Sequence, residues 1–379
     1  MAMVAQHAPR LVVIGGYARS LTLFRGPLLA AMVARGYRVT AMAADPDPAV
    51  TEELAALGVD FEPLPLARTS LDPRRDLATL RHLTRRLRAL APHAVFAYTI
   101  KPIIYGGLAA RLAGVRHRHA MITGLGYAFM GQERWRRRAL SAAVTVLYRL
   151  GLDGADTVFF QNPDDRRDVT ARGIVRGVRR VELVRGSGVD VDHYALRPLP
   201  AGPARFLFAG RLLREKGFLD YVEAARLVRA RHPEVRFSVL GRLDPNPTSF
   251  SADQLAAWQR EGLIEYHGEV ADIRPYLAEC HALVLPSYRE GTPRSALEAM
   301  STGRAVLLTD VPGCREVVVD GESGFLVPPR DPAALAAAAE RLLASPGLFE
   351  ELGRRGRARA VELYDARQVA AHMLDAMRL

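Results

Sequence analysis

Short apolar, β-branched or aromatic runs alternate with amphipathic stretches along the whole chain. A run at 11–14 is followed by helical spacing at 24–35 and by a second run at 37–42, and further runs stand at 94–98, 117–122 and 157–160. A second series begins at 205–209, with helical spacing at 218–231 and further runs at 235–240, 264–267, 282–285 and 305–309. This alternation predicts βα units and parallel sheets. Between the two series, residues 197–203 hold Pro198, Pro200, Gly202 and Pro203, which suits a linker. The expected fold is α/β: two doubly wound, Rossmann-like domains, with ligands where strand C-terminal ends face a central cleft. The expected boundaries are 1–197 and 198–364, with 365–379 a C-terminal helix that packs back on the N-terminal domain.

Composition narrows the class. Nearly half of the 379 residues are apolar and a quarter are charged, which excludes a disordered or collagen-like chain. Two cysteines, Cys280 and Cys314, form no disulfide framework and lack metal-site spacing, so a cytoplasmic setting is expected. The first ten residues do not read as a signal peptide, and no run has the apolar length of a membrane span. Net charge is +11 and uneven: residues 1–197 carry 29 basic and 17 acidic side chains, residues 198–379 carry 23 and 24. An anionic partner for the first half follows: nucleic acid, anionic lipid or a phosphate-bearing substrate. Positive charge is written almost wholly as arginine, with Lys101 and Lys216 the two exceptions.

Two segments carry candidate chemistry. The run at 205–209 leads into Gly210, Arg211, Lys216 and Gly217 ahead of a helix. Glycine-flanked cations at a helix start suit phosphate, Arg211 as a fork and Lys216 as a point charge. Spacing alone also admits an ordinary surface loop. The run at 282–285 leads into Glu290, Gly291, Thr292, Pro293, Arg294 and Glu298. Thr292 reads as an N-cap and Pro293 as the first helical residue, with amides from Gly291 onward favouring an anion. Alone, this segment reads equally as a capped helix with two solvated acids.

Taken together, Gly-Arg-x(4)-Lys-Gly followed by Glu-x(7)-Glu resembles the retaining glycosyltransferases of family 4, of GT-B fold. The segments 186–190 and 321–327 share the resemblance, which spans almost the whole chain. It implies that Arg211 and Lys216 hold the donor diphosphate, Glu298 the ribose and Glu290 a sugar hydroxyl, with Gly291, Thr292, Pro293 and Arg294 completing the site. Arg211, Lys216 and Glu290 are the implied catalytic set. Cations and a helix N-terminus stabilise the departing diphosphate without a metal or cofactor. In the first half, Gly15-Gly16 follows a strand and Phe24, Arg25 and Pro27 are expected to open a helix. Gly16 becomes a donor contact and Arg25 an acceptor contact.

The turns Thr99-Ile-Lys101-Pro and Thr123-Gly124-Leu-Gly-Tyr127, with residues 69–73 and the Arg242-Leu-Asp-Pro-Asn-Pro247 segment, resemble a narrower branch. That branch extends polyprenyl-diphosphate-linked sugars for bacterial surface polysaccharides or glycoprotein glycans. Lys101, Thr123, Gly124 and Tyr127 become acceptor contacts. Many members place a histidine after this strand; here Thr123-Gly124 stand there, and His119, inside the strand, reads as a packing residue.

The expected activity is transfer of a sugar, an N-acetylhexosamine, from its UDP form to a polyprenyl-diphosphate-linked saccharide. The expected location is the inner face of the cell membrane, held peripherally. Leu77, Leu80, Leu83, Leu87 and Leu90 form one helical stripe, which also reads as simple core. Arg134, Trp135 and Arg136–Arg138 precede the apolar 139–147, which suits an anionic membrane surface. A UDP-sugar epimerase of the same architecture is the nearer alternative, disfavoured by the cation and Glu-x(7)-Glu arrangement. A basic nucleic-acid-binding protein is the other; no binding module is recognisable, so no nucleic acid is expected. A non-catalytic relative is opposed by the intact motifs.

Overall fold

The computed structural model describes residues 8–68, 70, 72–124, 135–244, 246 and 248–379, and for 135–140 the backbone alone. The elements run β1 (Arg10–Ile14), α1 (Arg19–Ala34), β2 (Arg38–Ala43), α2 (Pro48–Ala56), β3 (Val59–Pro63), α3 (Pro73–Leu90) and β4 (Ala94–Tyr98). A π-helical turn, Pro102–Gly106, leads into α4 (Gly107–Leu112), then β5 (His117–Ile122), α5 (Trp135–Leu152), β6 (Thr157–Phe160), α6 (Pro163–Ala171) and β7 (Arg180–Leu183). There follow β8 (Arg205–Ala209), a 3-10 turn Arg214–Lys216, α7 (Phe218–Arg229), β9 (Arg236–Leu240), α8 (Ala252–Arg260), β10 (Glu265–Tyr266) and α9 (Arg274–Glu279). The last are β11 (Ala282–Leu285), α10 (Arg294–Ser301), β12 (Ala305–Thr309), β13 (Phe325–Val327), α11 (Pro332–Ala344), α12 (Gly347–Tyr364) and α13 (Ala366–Met377).

Two compact units result: the first runs to Ser187 and takes back Arg367–Leu379, and the second is Gly188–Ala366. The first holds a seven-stranded sheet ordered β3-β2-β1-β4-β5-β6-β7, all neighbours parallel. Successive residues of a strand face opposite sides, so a sheet covered on both faces needs continuous apolar runs. Val12 and Ile14 accordingly pack in one core with Leu83 and Leu87 of α3, while Leu11 and Val13 pack in another with α1, α2 and α13. Met373, Leu374 and Met377 of α13 are buried there. The second unit holds a six-stranded parallel sheet, β10-β9-β8-β11-β12-β13, around one core.

Several local expectations change. The first helix starts at Arg19, five residues before the expected opening, and encloses Pro27. Thr292 is not the cap of α10; Pro293 occupies that position without a side-chain cap bond. The proline-rich stretch belongs to the second unit and is tied down rather than loose. Arg304, fully buried, donates through Nη2 to Arg197 O at 2.9 Å and Pro198 O at 2.7 Å, and Arg197 N donates to Thr302 O at 3.1 Å. A buried guanidinium needs acceptors, and this segment's carbonyls supply two. On α3, Leu83 and Leu87 are buried and Leu77 is 44% exposed, so most of the leucine stripe is core. No helix among the described residues is long and apolar enough to cross a membrane.

Candidate functional site

In a doubly wound sheet, the strand order reverses at one point, where the loops on either side splay apart and leave a crevice at the strand C-terminal ends. In the second unit, that point lies between β8 and β11, paired by Phe206↔Ala282 and Leu207↔Leu283. The loop after β8 carries Arg211 and Lys216, and the loop after β11 carries Glu290. The two loops pack closely because Gly217 has no side chain: a Cβ there would lie 1.9 Å from Pro286 O, and its φ of +67° is also left-handed.

Here the candidate residues come together. Lys216 Nζ donates to Glu290 Oε1 at 2.5 Å, and Ser287 Oγ donates to the same oxygen at 2.6 Å. The side chains of Lys216 and Glu290 are 21% and 11% exposed, so this ion pair is largely shielded. Glu290 N donates to Pro312 O at 3.0 Å, and Thr309 Oγ1 donates to Ser287 O, which holds the loop onto the end of β12. Cys314 is fully buried near this pair; burial pushes its thiol pKa well above the usual range, so it is an inert core group.

A second pair follows within α10, where Arg294 Nε donates to Glu298 Oε1 at 2.7 Å across one turn. Glu298 is buried near Tyr194, whose pKa is raised by burial and then by the Glu298 charge. Arg211 stands apart, 55% exposed, its Nη1 3.6 Å from Asp244 Oδ2. Gly291, Thr292 and Arg294 are half-buried and Pro293 is buried. Ser287, Tyr194 and Asp244 were not among the candidates. A serine three residues before Glu290 was a local clue to the first, and Asp244 lies in the 242–247 segment already singled out; Tyr194 lies about 100 positions from its partners and left none.

The first unit treats its candidates differently. Its switch point lies between β1 and β4, which pair from Leu11↔Ala94 to Ile14↔Ala97. Gly15 is required by packing, since a Cβ would lie 2.4 Å from the Tyr98 hydroxyl, and Gly16 is buried beside Thr99. Ser20 Oγ and Tyr98 Oη lie 2.8 Å apart, and burial pushes the Tyr98 pKa up to about 12. Arg25 is only 2% exposed: its guanidinium lies 4.8 Å over the Tyr98 ring and Nη1 donates to Ser187 Oγ at 3.0 Å. In this arrangement Arg25 braces the unit internally.

Lys101 is engaged within the unit as well. Its ammonium donates to Ala67 O at 2.8 Å, Ser70 O at 2.6 Å and Asp76 Oδ1 at 2.7 Å, and Tyr105 Oη donates to Asp76 Oδ2 at 2.7 Å. All three N–H groups are engaged, so Lys101 fastens the segment before α3. Thr123 and Gly124 lie half-buried at the end of β5. Tyr127 and Arg134 lie outside the described residues, as do the side chains of Trp135, Arg136, Arg137 and Arg138. His119 is buried as expected, but neither ring nitrogen has a hydrogen-bond partner among the described residues, and burial lowers its pKa to about 4.

Residues 203–345 match the family model for glycosyl transferases group 1, and residues 25–185 match that for a glycosyl transferase 4-like domain. The N,N'-diacetylbacillosaminyl-diphospho-undecaprenol alpha-1,3-N-acetylgalactosaminyltransferase of Campylobacter jejuni is 24% identical over 368 residues, 94% of each chain. Among solved structures, sucrose-phosphate synthase from Thermosynechococcus elongatus superposes with a TM-score of 0.78 at 20% identity, covering 97% of this chain and 98% of that one. Anabaena HepE in complex with UDP and glucose gives 0.77 at 16% identity, covering 98% and 99%. The chain therefore belongs to the group 1 glycosyltransferases and has their GT-B fold, two Rossmann-like domains each built on a parallel sheet.

Proposed function

We propose that this glycosyltransferase moves an N-acetylhexosamine from a UDP-sugar to a polyprenyl-diphosphate-linked saccharide, with retention at the anomeric carbon and without a metal. The observation that carries the donor site is the cluster of Lys216, Glu290 and Ser287 where the second sheet changes direction. Lys216 and Arg211 hold the diphosphate, Glu298 the ribose and Glu290 a hydroxyl of the transferred sugar. Gly291, Thr292, Pro293 and Arg294 line the start of α10, whose positive dipole end favours the diphosphate. In the first unit, Gly16 is the proposed donor contact, while Thr123, Gly124 and Tyr127 serve the acceptor.

In the reaction, the bond from the anomeric carbon to the β-phosphate oxygen breaks and the acceptor hydroxyl oxygen bonds to that carbon on the same face. The hydroxyl proton passes to the leaving phosphate oxygen. Fixed cations aimed at that phosphate stabilise the charge as it develops. The Campylobacter relative, named for a diphospho-undecaprenol acceptor and an N-acetylgalactosaminyl group, supports the lipid-linked acceptor and the sugar class, and HepE with UDP supports the base. Exposed Leu77, Leu112, Val146 and Leu150 on α3, α4 and α5 support binding at an anionic membrane surface.

The test is incubation of labelled nucleotide sugars with a polyprenyl-diphosphate-linked saccharide and EDTA. Label from a UDP-N-acetylhexosamine is expected in the lipid fraction with its anomeric configuration kept. Transfer from another nucleotide alone overturns the base, inversion overturns retention, and loss with EDTA overturns metal independence. Co-sedimentation with anionic but not neutral vesicles checks the membrane surface.

A further inference from the structure

The Arg242-Leu-Asp-Pro-Asn-Pro247 segment stands out in the sequence, yet the donor site described above gives it no task. Its described residues, with Thr248 and Ser249, are bonded to the loop that carries Arg211 and Lys216. Thr248 Oγ1 donates to Glu215 Oε2 at 2.7 Å, and Arg214 N donates to Thr248 O at 3.0 Å. Ser249 Oγ donates to Leu212 O at 3.0 Å and accepts from Asp244 N at 3.1 Å, while Leu213 and Ser249 form an antiparallel bridge. Asp244, its side chain 11% exposed, faces Arg211 at 3.6 Å.

The turn is braced internally as well. Asn246 N donates to Asp244 Oδ1 at 3.0 Å, and Thr248 N and Oγ1 each lie 3.0 Å from Asn246 Oδ1. Asn and Asp side chains that bond the backbone two residues on are a standard way to stiffen a turn. Against this turn lies a segment with little stiffness of its own: between β8 and α7, its one regular piece is the three-residue 3-10 turn. A lysine has a long, freely rotating stem, so its ammonium is aimed only if the backbone beneath it is fixed.

Glu215 is the junction. Its carboxylate takes the Thr248 hydroxyl, its carbonyl takes Tyr288 N at 2.9 Å from the loop that carries Glu290, and its chain neighbour is Lys216. We propose that Asp244, Asn246, Thr248 and Ser249 position the Arg211–Lys216 loop for the donor diphosphate, the Thr248 hydroxyl on Glu215 being the tie and Asp244 the counter-charge that orients Arg211. Thr248, Glu215 and Asp244 act through Arg211 and Lys216, as positioning residues. This rests on the donor-site reading given above and extends it to residues outside its motifs.

The test compares Thr248→Val, which removes the hydroxyl at near-constant shape, with Thr248→Ser, which keeps it. Binding of UDP, GDP and ADP is measured by calorimetry, the tightest being used, together with donor and acceptor kinetics. Thr248→Val is expected to weaken nucleoside-diphosphate binding and lower donor kcat/KM by about 10-fold, with acceptor KM unmoved. Thr248→Ser restores both to within about twofold of wild type. A valine variant that binds and turns over like wild type overturns the proposal, as does a serine variant as poor as the valine one.

Thermal denaturation accompanies each variant, and a loss explained wholly by the unfolded fraction also overturns it. Should Thr248→Val fail to fold, Glu215→Gln, which weakens the same charge-assisted bond, is read by the same criteria. Lys216→Ala run in parallel separates the two levels. If Lys216→Ala binds nucleotide as tightly as wild type, the donor site itself is misassigned. If it weakens binding and Thr248→Val does not, only the role of the turn fails.

Discussion

The two lysines of the chain each follow a strand that borders the switch point of its own sheet, and they have different lives there. Lys101 follows β4, next to the switch point of the first sheet, and Lys216 follows β8, next to that of the second. Lys101 satisfies all three of its donors within the protein, two on backbone carbonyls and one on Asp76. Lys216 has one hydrogen-bond partner among the described residues, Glu290, and two donor directions remain. The arginines divide in the same way, Arg25 being 2% exposed and Arg211 having 55% of its side chain exposed. A cation at the functional edge of a parallel sheet is thus not in itself a site. The donors left over after the fold has used its share distinguish a binding group from a fastener.

The largest effect should come from removing the group with donors left over. Lys216→Ala is expected to lower donor kcat/KM by about 100- to 1,000-fold, the range for losing one fixed donor at a developing negative charge. It leaves the 11% exposed Glu290 with the Ser287 hydroxyl but without the Lys216 cation, so a stability cost of about 2 kcal/mol is expected, and kcat/KM is compared per folded molecule. A variant that keeps wild-type donor kcat/KM would erase the contrast between the two lysines.

The buried histidines sharpen the comparison next. His281, in the second unit, accepts from Arg205 N at 3.2 Å, whereas His119, in the first, has no partner on either ring nitrogen among the described residues. The His119 pKa falls from 6.5 to about 4 because burial disfavours the imidazolium. Between those values the unfolded chain binds a proton that the folded chain does not, so stability rises with pH across that window. The contribution is complete above pH 6.5 and is lost as pH falls toward 4, up to roughly 3 kcal/mol. His119→Leu should flatten this part of the stability profile, measured by denaturant unfolding at a series of pH values. An unchanged slope would mean that His119 finds a partner in solution.

Most of the fold was legible because buried parallel strands leave a plain signal. The runs at 94–98, 117–122, 157–160, 205–209, 282–285 and 305–309 are strands with those bounds. The strands that were not read, β3, β7 and β13, all lie at sheet edges, where one side meets water and polar residues interrupt the run, as in Val59-Asp-Phe-Glu-Pro63 and Arg180-Val-Glu-Leu183. The pairing of Lys216 with Glu290 joins two short motifs, each legible in its own loop, one after β8 and one after β11. The site was not legible where the deciding contact comes from far along the chain. The partners of Lys101 lie 25 to 34 residues before it, and Thr248 lies 33 after Glu215. Composition marked both lysines as exceptions, but only the number of acceptors around each ammonium could separate their roles.

The smallest expected effect tests the fastener. Lys101→Met keeps much of the side chain's length and removes the charge, leaving the 14% exposed Asp76 without its cation and the Ala67 and Ser70 carbonyls without a shared donor. Because Tyr105 still donates to Asp76, the carboxylate keeps one partner, and the expected cost is about 2 kcal/mol, below that of fully orphaning a buried charge. Unfolding should therefore shift to lower denaturant concentration with an unchanged slope, and proteolysis should begin earlier in the segment around 67–70. UDP affinity should stay at the wild-type value, since the residues proposed to hold the diphosphate and the ribose lie in the other unit. If Lys101→Met instead leaves stability unchanged and raises acceptor KM, the three acceptors seen around this ammonium are a resting arrangement. Lys101 would then rejoin Lys216 as a group that meets substrate.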